Sequence, residues 1–188
     1  MLLYINACVR TDSRTKTIAD ALISKYPGPA TEVVLEDIDF PKADEAFLIK
    51  RDELKAGGDY SDPMFDLARQ FAEADTIVIA APFWDLSFPA SLKQYFEQIN
   101  VCGVTFAYTD EGAIQGLCRA EELIYVTTSG GEFFPEEYGY GYVKALAQNF
   151  YGIQAVRLIK ATGLDIAGAD VEKILNDLND GLDRYVRI

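Results

Sequence analysis

The chain contains no histidine. Imidazole general bases, Ser-His triads and His-ligated zinc sites are thereby excluded, and with them most hydrolase chemistries. Cysteine is scarce: Cys8, Cys102 and Cys118 are odd in number and widely spaced, which fits a reducing cytosol better than a disulfide framework. Positive charge is short as well, with 17 Lys and Arg against 30 Asp and Glu for a net charge of −13. Nucleic acids and anionic membranes are bound through Lys and Arg, so neither is expected as a partner. The excess carboxylates read as a solvated acidic face. No apolar run approaches the ~20 residues needed to cross a bilayer. Met1 to Asn6 lack the basic n-region and long apolar core of a signal peptide, and a cytoplasmic protein is expected. No low-complexity block, repeat or linker interrupts the 188 residues. They read as one domain, 1–188, long enough to bury roughly 70% of its unfolded surface.

Five strand-like runs alternate with helical periods. The strands are expected at Leu2 to Asn6, Thr31 to Glu36, Thr76 to Ala81, Leu123 to Thr128 and Ala155 to Lys160. Spacings of i, i+3, i+4, i+7 mark helices through Ala19–Tyr26, Met64–Phe71, Leu92–Ile99, Val143–Phe150 and Val171–Leu178. Such alternation implies right-handed crossovers and a parallel sheet covered on both faces. The runs at Leu2 and Thr76 are the most uniformly apolar and belong inside. Glu32, Glu36, Arg157 and Lys160 mark the second and fifth strands as edges. The pattern fits a strand order of 2-1-3-4-5, with a ligand crevice beside strands one and three. Residues 37–62 form a charged insertion, helical from Glu45 to Lys55, and residues 103–118 an excursion with a Tyr-Thr-Asp-Glu-Gly turn signal.

Three strand ends carry unusual residues. After the first comes Ala7-Cys8-Val9-Arg10-Thr11-Asp12-Ser13-Arg14-Thr15, running straight into a helix. A helix N-terminus offers free N–H groups and partial positive charge, a ready anion site. Ser13 and Thr15 can add hydroxyls, and Arg10 and Arg14 can add charge. The plainer alternative is that Ser13 only caps the helix. After the third strand stand Pro82, Phe83, Trp84, Asp85 and Leu86. Aromatics exposed at a strand end call for a flat apolar partner such as a flavin ring; the alternative is that they pack under a neighbouring loop. After the fourth strand, Thr128-Ser129-Gly130-Gly131 lets backbone approach a ligand closely, as it also would in any tight turn. Cys8 is either a thiol of lowered pKa at the helix start or simply small and buried.

These residues resemble those of the flavodoxin-like NAD(P)H dehydrogenases, in particular the FMN-dependent NADH-azoreductase and quinone reductase branch. The resemblance covers nearly the whole chain. It is most specific at Ala80-Ala81-Pro82-Phe83-Trp84-Asp85, Leu92-Lys93-Gln94-Tyr95-Phe96 and Gly103-Val104-Thr105-Phe106-Ala107-Tyr108-Thr109, with Gly116-Leu117 beyond. It implies a flavodoxin-like three-layer α/β sandwich that holds FMN and uses NAD(P)H as co-substrate. The FMN phosphate would rest on Ser13, Arg14 and Thr15, with Arg10 as a further cation. The ring would lie against Pro82, Phe83, Trp84, Asp85 and Leu86, with Thr128, Ser129, Gly130 and Gly131 along its polar edge. Such enzymes are homodimers, and Tyr108 and Phe150 match positions that line the pocket over the ring, in part from the partner. Hydride would pass through flavin N5 to a quinone, azo or nitroaromatic acceptor in ping-pong fashion. That chemistry belongs to the cofactor, so no side chain is assigned as catalytic acid or base and no metal is implied. The alternatives are a flavodoxin-like electron carrier and a non-catalytic FMN-binding protein.

The departures from the family pattern matter too. Trp84-Asp85 stands where the family has Tyr-Asn. An ionised aspartate only accepts hydrogen bonds, so Asp85 either takes the flavin N3–H or turns away to cap the next helix. Ser129 replaces an arginine before the glycine pair, and Ala7 replaces an early loop serine.

Overall fold

The computed structural model describes residues 1–186. In chain order its elements are β1 (Leu2–Asn6), α1 (Arg14–Ile23), β2 (Ala30–Val34), α2 (Glu45–Ala56), α3 (Asp66–Glu73), β3 (Thr76–Ala80), α4 (Ala90–Ile99), β4 (Phe106–Tyr108), β5 (Ile114–Gly116), β6 (Glu122–Thr128), α5 (Gly139–Leu146), β7 (Ala155–Ala161) and α6 (Val171–Asp180). Five strands form one parallel sheet in the order β2-β1-β3-β6-β7. Counting only these five, the order is the expected 2-1-3-4-5. The charged strands are indeed the edges.

Alternation along each strand divides the interior in two. Leu3, Ile5, Ile77, Ile79, Leu123 and Tyr125 point into a core closed by α3, α4 and α5. Leu2, Tyr4, Val78, Ala80, Ile124 and Val126 point into a second core closed by α1 and α6. A strand buried on both faces needs apolar residues at every position, which is why these runs show no alternation in the sequence. The second strand ends earlier than expected. After Val34 the chain tightens into a 3-10 turn at Leu35–Asp37, which buries Leu35 against α4 and turns Glu36 outward.

The insertion is as charged and open as its composition implies. Helix α2 buries none of its residues and is held at its start by Asp44, whose carboxylate accepts from the Phe47 amide at 3.1 Å. The excursion folds as an antiparallel hairpin of β4 and β5, tied by Thr109 and Ala113 around Gly112. Among the described residues no helix is long and apolar enough to cross a membrane.

One buried group works against stability. Tyr95 on α4 is fully buried beside Phe71 and Phe96, and its hydroxyl meets no hydrogen-bond partner among the described residues. An unmatched buried hydroxyl costs about 1 kcal/mol or more. Tyr95→Phe is therefore expected to stabilise the fold by about 1 kcal/mol, raising Tm by roughly 2–4 °C. A fall in the calorimetric Tm of this variant would contradict the account.

Candidate functional site

The loops leaving β1, β3, β6 and β7 converge at the carboxyl edge of the sheet and enclose a cleft of about 270 Å³. Its polar end is built by β1. Asn6 is buried, donates to Glu32 at 2.9 Å and accepts from the Cys8 amide at 2.9 Å. That pair of bonds bends the chain out of the sheet and aims it at α1. Ser13 is the N-cap of α1, its Oγ accepting from the Lys16 amide at 3.3 Å while its backbone oxygen takes the Thr17 amide. The capping reading of Ser13 is thus realised, and it does not compete with ligand binding. The amides of Arg14 and Thr15 have no intrahelical acceptor by helix geometry, and the Ser13 hydroxyl, which also neighbours the Cys8 thiol, keeps a proton that it can donate. Arg10, Ser13, Arg14 and Thr15 all line the cleft.

Thr15 is fully buried, and its hydroxyl meets that of Thr128 at 2.7 Å. Its side chain therefore ties the β1 loop to the β6 loop, and its backbone amide is what it offers a ligand. Cys8 is also buried, its thiol directed to the Ala80 carbonyl at 3.7 Å. Burial pushes this thiol above its ordinary pKa, against smaller opposing effects of Ser13 and Lys16. The small, buried reading of Cys8 is the one that holds.

The aromatic end comes from β3. Phe83 donates its amide to Thr128 at 3.0 Å, extending the ladder. The chain then reverses in a tight turn closed by mutual backbone bonds between Trp84 and Ser87. Asp85 and Leu86 occupy its centre with φ of 50° and 65°. Two successive left-handed residues twist a turn in the sense that suits a hairpin. Aspartate tolerates the conformation and leucine pays strain for it. Asp85 does not cap α4, whose N-cap is Pro89 with no side-chain bond. Asp85 and Leu86 instead line a second cavity of about 630 Å³ between this turn and α5. Pro82, Phe83 and Trp84 line the cleft itself. Trp84 is 40% exposed, whereas Phe83 is half covered by Phe134, ring centroids 4.6 Å apart.

Thr128, Ser129 and Gly130 form the third wall; Gly131 lies just outside it. The loop after β7 fastens onto this segment through Leu164 N–H to the Ser129 carbonyl, Asp165 N–H to Gly130 and Gly163 N–H to Gly131, at 2.9–3.2 Å. With those carbonyls engaged, the amides of Gly130 and Gly131 are what the pair can offer a ligand. Val9, Asp12, Leu164 and Asp165 also line the cleft and were not foreseen. The strand-end rule applied to β7 as well as its neighbours would have found the last two.

Tyr108 and Phe150 lie apart from the cleft. Tyr108 on β4 is 58% exposed. It packs edge-on against Phe106, which packs edge-on against Phe150 in the π turn Ala147–Tyr151.

A family model described as a flavodoxin-like fold matches residues 1–186. A protein of Lachnoclostridium phytofermentans named FMN-dependent NADH:quinone oxidoreductase is 40% identical over 184 residues, covering 91% of this chain and 90% of that protein. One of the same name from Clostridium beijerinckii is 37% identical over 193 residues, covering 95% and 94%. Among solved structures, an FMN-dependent NADH-azoreductase of Bacillus anthracis in complex with FMN superposes with a TM-score of 0.78 at 23% identity, covering 99% of each chain. The parallel sheet and its five-strand order agree with these matches, and the chain belongs to the flavodoxin-like fold family that includes the FMN-dependent NADH:quinone oxidoreductases.

Proposed function

We propose that the chain is an FMN-dependent NAD(P)H oxidoreductase that reduces quinone, azo and nitroaromatic acceptors by a ping-pong route, working as a homodimer. The observation that carries this reading is the cleft's division into an anion-binding end at the start of α1 and an aromatic end at Trp84. A phosphorylated flat ring matches both ends, and the names of the relatives point to the same ligand.

The amides of Arg14 and Thr15 and the Ser13 hydroxyl would hold the phosphate, helped by the positive end of the helix dipole. Phe83 and Trp84 would back the ring, and the amides of Gly130 and Gly131 would donate to its carbonyl edge. Bound there, FMN supplies two-electron hydride chemistry at N5. The chain's own part is to orient reactants over the ring, since with no histidine solvent can supply protons. One open face serves donor and acceptor in turn, which is the physical basis of ping-pong order.

A cleft of about 270 Å³ falls below the ~300–1,000 Å³ usual for ligand pockets. A second copy covering the ring would complete it. Tyr108, exposed and backed by the buried Phe106 and the partly buried Phe150, is suited to that role.

The test is spectroscopic and kinetic. Full-length protein is expected to carry flavin absorption bands that bleach on adding NADH under anaerobic conditions and return with quinone. Stripping FMN should lower NADH:quinone turnover by about a hundredfold or more, with recovery on adding FMN back. Flavin that stays oxidised with both NADH and NADPH would favour the electron carrier. A colourless protein unable to bind FMN would overturn the proposal.

A further inference from the structure

Arg14 stands at the mouth of the anion-binding end, yet its guanidinium is already engaged. Nη1 donates to Asp165 Oδ1 at 2.8 Å and to the Leu164 carbonyl at 3.2 Å. Asp165 lines the same cleft, and three backbone bonds fasten its loop to residues 129–131. Its carboxylate lies so close over Gly130 that a Cβ at that glycine would collide with it.

The cleft's charges balance: Arg10 and Arg14 line it together with Asp12 and Asp165. A phosphate monoester brings nearly two negative charges at neutral pH, and a guanidinium prefers a bidentate oxyanion to a single carboxylate oxygen. The Arg14 and Asp165 side chains are 41% and 71% exposed, so their pairing is weak and cheaply exchanged. The Asp165 backbone is pinned, so release requires only rotation of its side chain.

We propose that Asp165 is an internal competitor for Arg14, exchanged for the FMN phosphate on binding, and that it sets how strongly the site prefers a phosphorylated flavin over riboflavin. The inference rests on the assignment of FMN to this cleft. It makes Asp165 a specificity-determining residue that weakens the cofactor's hold.

The experiment is a fluorescence titration of full-length protein with FMN and with riboflavin, for the native chain, Asp165→Asn, Arg14→Gln and the double variant. Riboflavin lacks only the phosphate, so the ratio of the two dissociation constants isolates what the phosphate contributes. Asp165→Asn is expected to tighten FMN about threefold and to change riboflavin by less than about 1.5-fold. Arg14→Gln should weaken FMN about tenfold in the Asp165→Asn background, and by less than about threefold in the native one. Asp165→Ser, which lacks an amide to hold Arg14, should tighten FMN in the same direction. Weaker FMN binding in both Asp165 variants would make Asp165 a support for Arg14 and overturn the proposal. Equal shifts for FMN and riboflavin would overturn it as well. If the native chain binds no FMN, the functional assignment falls and carries this inference with it. If it binds FMN and the ratio ignores Asp165, the inference alone fails.

Discussion

Ser13→Asp is expected to leave the fold intact while weakening FMN binding roughly a hundredfold. The two effects separate because Ser13 serves both the helix and the proposed phosphate. As N-cap it accepts from the Lys16 amide with extended backbone at φ −66° and ψ 118°. Aspartate caps as well as serine, and its charge suits the positive end of the helix, so Tm should hold or rise slightly. Toward a phosphate the sign reverses. Two like charges ~5 Å apart at an effective dielectric of ~20 repel by about 3 kcal/mol, roughly a hundredfold in affinity. Ser13→Ala should behave oppositely on both axes, losing about 1 kcal/mol of stability for the missing cap but much less FMN affinity than Ser13→Asp. The crossed ranking, read by thermal melts and flavin titration on the same proteins, is the check. Native-like FMN binding by Ser13→Asp would mean that the phosphate does not sit at the start of α1.

The largest expected effect on stability is at Gly116. This residue ends β5, where the hairpin meets the π turn before β7. A Cβ added there would collide with the Tyr151 carbonyl group and the Gly152 amide. Both are backbone, so no rotamer change relieves the clash. Gly152 itself has φ of 81°, which holds the turn in a conformation that other residues rarely adopt. Gly116→Ala must lift the hairpin off the turn, separating Phe106 from Phe150. A loss of about 3 kcal/mol follows, a fall in Tm of roughly 6–12 °C. An unchanged melting curve would show that the hairpin is not fastened there.

The sheet was legible because two-sided burial leaves a strong mark: Leu2–Asn6 and Thr76–Ala80 are apolar at nearly every position, and the charged strands could go only to the edges. The β1, β3 and β6 loops were legible for a related reason, since Ser13, Trp84 and the glycine pair each depart from what a plain connection requires. The β7 loop was not. Gly163-Leu164-Asp165 reads as an ordinary turn, and its role depends on backbone bonds to residues more than thirty positions earlier. Asp85 did not take the capping role. Backbone conformation decided its place, and a left-handed turn at a non-glycine pair leaves little trace in residue type. The strands at Phe106–Tyr108 and Ile114–Gly116 are too short to establish a period of two, although the turn between them was visible.

The hooks from Gly163, Leu164 and Asp165 onto residues 129–131 have a bearing on biosynthesis. The pocket's walls are scattered from Val9 to Asp165, so a growing polypeptide cannot complete them until Asp165 has emerged from the ribosome. Domains fold as units during translation, and with FMN in this cleft, as proposed, cofactor loading would wait for the seventh strand to dock. A fragment ending at residue 150 would retain the serine, the tryptophan and both glycines, and would still lack the brace that holds them in register.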